Sequence, residues 1–355
     1  MTDKKFIPVL LSIITVFVVG VILLELRTVL LPFSVALLLS FIFQPIVIYL
    51  KKKKIPTIVT LVVVLLSLTT VLFLAGLVVY SSALSFTEEF GRYGERINTI
   101  VSGVESTLDD VAESLGMEDA GELDLGQFLE ASAVTSVVSV GVGSFLNFLS
   151  NALLVILFML FILAGSGELG AKIKRAFPEE TAERINGVTE NISQQVRQYL
   201  AAKTLVSALT GFLLFLVLWI LGVDFPIFWG FLAFLFNFVP NIGSFAAVVL
   251  PFGVSLLQFD TLEIPLLALG LMFVVQTVVG NVVDPRLMAF SLNLSPLLVL
   301  VSLIFWGWLW GIVGMILAVP LTATIKIFFS NLEPLRPVAI LMGGSVSPAR
   351  VKKAK

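Results

Sequence analysis

Four pieces of one stretch decide how this chain is read: NFVPNIGS (237–244), GNVVDPR (280–286), LNLSPLLVL (292–300) and IFWGWLWGIVGMILAVP (304–320). Between and around them nearly every residue is Leu, Val, Ile, Phe or Ala. The Asn, Asp, Arg, Pro and Gly positions are therefore isolated exceptions in a hydrocarbon-soluble background. A backbone that leaves the helix at Pro240, or around Gly307 and Gly311, frees N–H and C=O groups that lipid cannot satisfy. Such breaks are tolerated only where protein or a watery cavity receives them. Broken apolar segments in corresponding places are the sequence mark of a transporter's binding site.

Working outward, 58% of the 355 residues are hydrophobic and 13% charged, and the mean hydropathy is +1.07. A soluble domain is about 45–50% apolar and 25% charged. The expected fold is an all-α polytopic integral membrane protein. It has six to eight transmembrane helices, two broken or re-entrant hairpin segments and a small extracytoplasmic helical insertion. Apolar runs near the ~20 residues that cross a bilayer lie at 6–24, 28–50, 57–80, 145–164, 204–222 and 265–283, and two longer broken runs at 227–257 and 296–330. Glu25-Leu26-Arg27 links the first two runs with no small-residue cleavage site between them, so 6–50 reads as a helical hairpin and not as a signal peptide.

Charge sorts the chain by region. Lys4, Lys5 and Lys51 to Lys54 place both ends of the first hairpin in the cytoplasm, and Arg350, Lys352, Lys353 and Lys355 place the C-terminal tail there. Five parts follow: a membrane part (1–80), an acidic extracytoplasmic insertion (81–144), a fourth span with a cytoplasmic amphipathic helix (145–203), a core of two units, each a span plus a broken helix (204–330), and a basic tail (331–355). The insertion carries twelve acidic residues from Glu88 to Glu130 against Arg92 and Arg96. Leu108, Val111 and Leu115 recur there at helical spacing, which predicts short amphipathic helices. It reads as a solvated cap. If both broken runs cross, there are eight spans; if both are hairpins, there are six spans and an inverted repeat. The absence of basic residues around Asp260 and Glu263 favours the hairpins.

Asp284 and Arg286 flank Pro285 at the end of an apolar span. An ionisable residue inside the membrane is a functional candidate by default, with Asp284 as the protonatable carboxylate and Arg286 as the charge that tunes it. A local interfacial pair is the other reading. Asn237, Pro240, Asn241 and Gly243 surround the first break, as binding groups or as the turn chemistry of a hairpin tip. Gln276 and Asn281 stand about 140° apart on a helix and read as partners of neighbouring helices or as solute contacts. Trp306, Trp308 and Trp310 read first as an interfacial belt. Gly307, Gly311, Gly314 and Pro320 read as packing and gating positions. With no Cys and no His, thiol chemistry is excluded and proton coupling falls to carboxylates. No phosphate loop, nucleophile elbow or metal-spaced cluster occurs, so no enzyme, metal site or cofactor is expected.

The segments YLAAKTLVSALTG from Tyr199, FNFVPNIGS from Phe236, GNVVDPRLM from Gly280, SLIFWGWLWGIVGMILAVPLTATIKI from Ser302 and FIFQPIVIYL from Phe41 resemble the autoinducer-2 exporter family of membrane permeases. Members of that family are described as signal exporters and as cation/proton antiporters. The resemblance implies a multi-pass protein of the inner membrane that exports a small polar organic solute, autoinducer-2 or a relative. Without a nucleotide motif its drive is an ion gradient. A monovalent cation/proton antiporter is the alternative, and a non-transporting scaffold or receptor the second. The implied partners are the solute, H⁺ or Na⁺, the lipid bilayer and a second copy of the chain, with no nucleic acid.

Overall fold

The computed structural model describes residues 11, 14, 15, 18, 20–114, 143, 151–165, 168–240, 242–287 and 294–344. Among these, all regular structure is helical apart from one isolated bridge between Leu294 and Gly343. Most of the first apolar run, residues 115–142 and Asn241 lie outside the described residues.

The helices are α1 (Arg27–Lys52), α2 (Thr57–Ser114), α3 (Asn151–Gly165), α4 (Leu169–Ala176), α5 (Glu179–Ile220), α6 (Pro226–Phe236), α7 (Ile242–Gln258), α8 (Glu263–Leu287), α9 (Pro296–Asn331) and α10 (Arg336–Leu341). α1 ends on Lys51 and Lys52, cations that complement the helix C-terminus, and Lys54 then turns the chain in the left-handed region before Pro56. α2 runs unbroken from its apolar part, Thr57–Phe86, into the acidic segment. At 58 residues it is about 87 Å long, nearly three times what a bilayer core needs. The first half of the acidic segment is thus the continuation of a span. α5 likewise joins the amphipathic helix and the fifth span into one rod of 42 residues.

Both broken runs are antiparallel hairpins. In the first, the Gln258 side chain accepts from the Asp224 N–H at 2.8 Å and donates to the Gly222 carbonyl at 2.7 Å, closing the base. At the other end Gly243 lies against Phe236, so α6 and α7 run side by side to a tip that includes 237–240. The 11 residues of α6 rise about 16 Å, roughly half of the ~30 Å hydrocarbon core, so this arm cannot cross alone. The second run has the length of a single span, yet Trp306 Nε1 donates to Thr322 Oγ1 at 3.2 Å and Thr322 Oγ1 to Ser302 Oγ at 2.9 Å. Residues sixteen and twenty apart stand about 24 and 30 Å apart in a straight helix. α9 therefore folds back on itself. The turn is Gly311, at φ 65° and ψ −146°, a conformation open essentially to Gly alone.

The two hairpins point in opposite directions. The base of the first meets the far end of α2: Arg92 and the Tyr93 hydroxyl both donate to Asp224 Oδ2, at 2.8 and 2.6 Å, and Arg96 donates to the Asp260 carbonyl at 3.0 Å. We call this the acidic end. The base of the second meets the other end of the molecule, where Arg184 pairs with Glu333 at 2.7 Å and Asn191 donates to Asn331 at 3.0 Å. Its connection is closed there by Ser295 N–H donating to the Met342 carbonyl. This is the basic end, which also holds Lys51 and Lys52 at the end of α1, packed against α5.

Two apolar cores result. One joins α1, α2, α3, the lower part of α5 and the second hairpin, through residues such as Leu38, Val64, Met159, Leu200, Leu309 and Ile327. The other joins the upper part of α5, the first hairpin and α8, through Leu214, Leu218, Ala233, Val248 and Met272. Gly211 and Gly230 bring α5 and α6 together, since a Cβ on either would come within 3 Å of the other's carbonyl oxygen.

Candidate functional site

The cores meet along one helix, and the meeting line is polar. On α5 the residues below it, Val196, Tyr199 and Leu200, belong to the first core, and those above it, Leu214 and Leu218, to the second. Between them Lys203, Val206, Ser207 and Thr210 are buried, with Lys203 only 7% exposed. Tyr199, Lys203 and Ser207 follow one another at i, i+4 and i+8, so they stand on one face.

Two of the polar groups on that face, Lys203 and Ser207, meet partners from elements that end there. Lys203 Nζ donates to Asp284 Oδ2 at 3.3 Å. Asn237, at the tip of the first hairpin, donates from Nδ2 to Ser207 Oγ at 2.9 Å. Val239, from the same tip, is inserted into the first core. Asp284 follows a π-helical turn, Val279–Val283. Such a turn adds a residue to the helix, changes the direction of what comes after it, and recurs at functional sites.

The pairs leave capacity unused. Asp284 Oδ1 and Thr204 Oγ1 are buried and without a hydrogen-bond partner. Gln44 Oε1, on α1, is likewise buried and unsatisfied. A buried carboxylate oxygen without a donor is costly and calls for an explanation. The seam thus presents an ammonium, a carboxylate with one free oxygen and hydroxyls within two turns of α5. That is a set able to donate to and accept from a small polar solute.

The expected site residues do not all converge. Asn237 and Asp284 reach the seam, and Pro240 is half-buried beside it in the hairpin tip. Gly243 is buried, its missing Cβ being what allows the Phe236 carbonyl to lie against it. Asn241 lies outside the described residues. Gln276 is half-buried and Asn281, in the π turn, is exposed; neither bonds to Lys203, Asp284 or Asn237. Arg286 is exposed, and the cation paired with Asp284 is Lys203. In the sequence Lys203 stands at the end of the part read as a fourth span with a cytoplasmic amphipathic helix (145–203), which hides its role. The i, i+4 spacing of Tyr199, Lys203 and Ser207 on an otherwise apolar helix was the available signal.

In the second hairpin Gly314 is buried where a Cβ would strike the Trp306 carbonyl, Gly307 faces the Met315 side chain, and Pro320 is buried in the second arm. Trp306 and Trp310 do not form an interfacial belt. They are buried, with ring centroids 4.9 Å apart, and only Trp308 is open, at 65% exposure. The indole N–H of Trp306 finds Thr322, as a buried Trp requires.

Long apolar helices, two opposed hairpins and a polar seam define a multi-pass helical membrane protein built as transporters are. The chain belongs to the AI-2E transporter family, whose profile matches residues 11–333. It is 32% identical over 316 residues to the AI-2 transport protein TqsA of Escherichia coli, covering 88% of each chain. It is also 38% identical over 201 residues to a putative transport protein of Borreliella burgdorferi, a match spanning 56% of each. Over 148 residues, 42% of each chain, it is 43% identical to the putative transport protein YhhT of Escherichia coli.

Proposed function

We propose that this protein is a secondary transporter that exports a small polar organic solute, autoinducer-2 or a relative of it, driven by an ion gradient. The observation that carries the reading is the buried Lys203–Asp284 pair at the seam between the two cores, with one carboxylate oxygen unsatisfied. Two oppositely inserted hairpins around a midplane site suit alternating access, because moving one core against the other opens the seam toward one end at a time. In the empty site Lys203 and Asp284 neutralise each other. A solute bearing both donors and acceptors replaces that mutual contact, and solute and proton compete for the one carboxylate, which is what export in exchange for inward-moving protons requires. The protein sits in the inner membrane, with its basic end and both termini in the cytoplasm, and a second copy of the chain is open as a partner through its apolar surface.

A monovalent cation/proton antiporter is the second reading, favoured by the free oxygens of Asp284 and Thr204. The ammonium 3.3 Å from the carboxylate opposes a metal cation there, which ranks this reading below the first. Transport by inside-out vesicles separates them. Labelled autoinducer-2 should accumulate in energised vesicles containing the wild-type chain. Na⁺-dependent proton release without solute accumulation would replace the first reading with the second.

A further inference from the structure

Away from the seam, the basic end carries a cleft of about 320 Å³ between α1 and α5, lined by Pro45, Ile48, Tyr49, Lys52 and Arg197. Two of the five lining residues are cations and none is acidic. A third cation stands at its rim, since Lys53 Nζ lies 4.8 Å over the Tyr49 ring. Arg197 is held in the cleft wall with its side chain 17% exposed, while its ion-pair partner Glu190 is 74% exposed and 3.4 Å away. The remainder of the lining is apolar, and Ile46, Ile48 and Tyr49 continue it as exposed side chains along the last turns of α1. These are the turns that Lys51 to Lys54 place at the membrane surface.

A ligand matched to this cleft has a compact anionic head and a hydrocarbon tail. The volume is at the lower end of ligand sites, roughly 300–1,000 Å³, which admits a headgroup and little more. Basic recesses between helices on the cytoplasmic side bind anionic lipid headgroups. We infer that the cleft binds one anionic phospholipid, its phosphate between Lys52 and Arg197 and an acyl chain along Ile48 and Tyr49. The lipid would join α1 to α5 at the end where neither hairpin tip reaches. This site is independent of the transported solute.

Native mass spectrometry of the delipidated full-length protein, titrated with phosphatidylglycerol or phosphatidylcholine, tests it. Phosphatidylglycerol should bind first and as a single tight equivalent. Its affinity should fall roughly fivefold in Lys52→Gln and about thirtyfold in Lys52→Gln/Arg197→Gln. Lys172→Gln/Lys174→Gln, on α4 and outside the cleft, should leave the tight equivalent unchanged. Lys52 is exposed, so its variant stays informative even where the Arg197 change unfolds the protein. Three results would overturn the inference: equal binding of the two lipids, a Lys52→Gln variant that binds as tightly as wild type, or an equal loss in the α4 variant. Displacement of the lipid by inorganic phosphate at millimolar concentration would assign the cleft to a free anion instead.

Discussion

At the scale of single residues, the account rests on Lys203 and Asp284 having a role beyond folding. Removing one partner of a buried pair leaves the other uncompensated, typically at about 3–5 kcal/mol, and the partial exposure of Asp284 reduces that cost here. Lys203→Met and Asp284→Asn should therefore each lower the amount of folded protein as well as the flux. The combination Lys203→Met/Asp284→Leu removes both charges, and apolar replacement of a buried pair is often neutral for stability. We expect that double variant to return to near wild-type abundance in the membrane, by immunoblot, while solute accumulation stays at background. Recovery of transport together with abundance would make the pair structural. Glycines give a graded prediction. Gly314→Ala and Gly243→Ala force a Cβ onto a backbone carbonyl, whereas Gly307→Ala meets only the flexible Met315 side chain. The first two should lower the melting temperature in detergent well beyond the third, in keeping with overpacking costs of roughly 1–3 kcal/mol. Asp284 was legible in sequence because a carboxylate among Val and Leu is conspicuous. Lys203 was not, because it follows a basic amphipathic stretch whose surface character it does not share, and its partner is 81 residues away.

At the scale of elements, the hairpins were legible as interruptions of hydropathy, since a Pro-Asn-Ile-Gly tip and a Gly-rich turn are intolerable in a lipid-facing rod. The reach of α2 was not legible. Its polar half shows helical spacing only in short stretches such as Leu108 and Val111, which predict separate amphipathic helices and not the continuation of a span, and its place is set by contacts with the first hairpin's base. Tyr93 is buried there and donates to Asp224, and burial first, with that hydrogen bond second, raises its pKa well above the ordinary tyrosine value. A raised pKa favours the neutral phenol in the folded state. Its contribution is complete below the unfolded tyrosine value of about 10 and is lost only as pH rises through the folded value. Tyr93→Phe should accordingly cost a constant increment of melting temperature from pH 6 to pH 9 at roughly 1.5–3 kcal/mol for a bond to a charged acceptor. The increment should shrink only in strongly alkaline buffer. A penalty that disappears by pH 8 would show that the phenol does not hold the hairpin base.

For the whole molecule, the central claim is that the two hairpins point in opposite directions, with the tip of the first at the polar seam. Charge patterning pointed to this arrangement only faintly, because Asp260 and Glu263 orient a segment weakly. Bonding between distant residues establishes it: Asp224 and Asp260 belong with Arg92 to Arg96, and Ser295 and Glu333 with Met342 and Arg184. The alternative of eight simple crossings reverses both connections, placing Asp260 with the basic end and Leu287 with the acidic one. A chain without Cys makes the decisive measurement direct: single-Cys variants at Lys53, Asp260 and Leu287, probed in intact cells with a membrane-impermeant maleimide. The account predicts labelling of Asp260→Cys from outside, and labelling of Lys53→Cys and Leu287→Cys only after permeabilisation. Labelling of Leu287→Cys from outside, with Asp260→Cys protected until the membrane is opened, would contradict it.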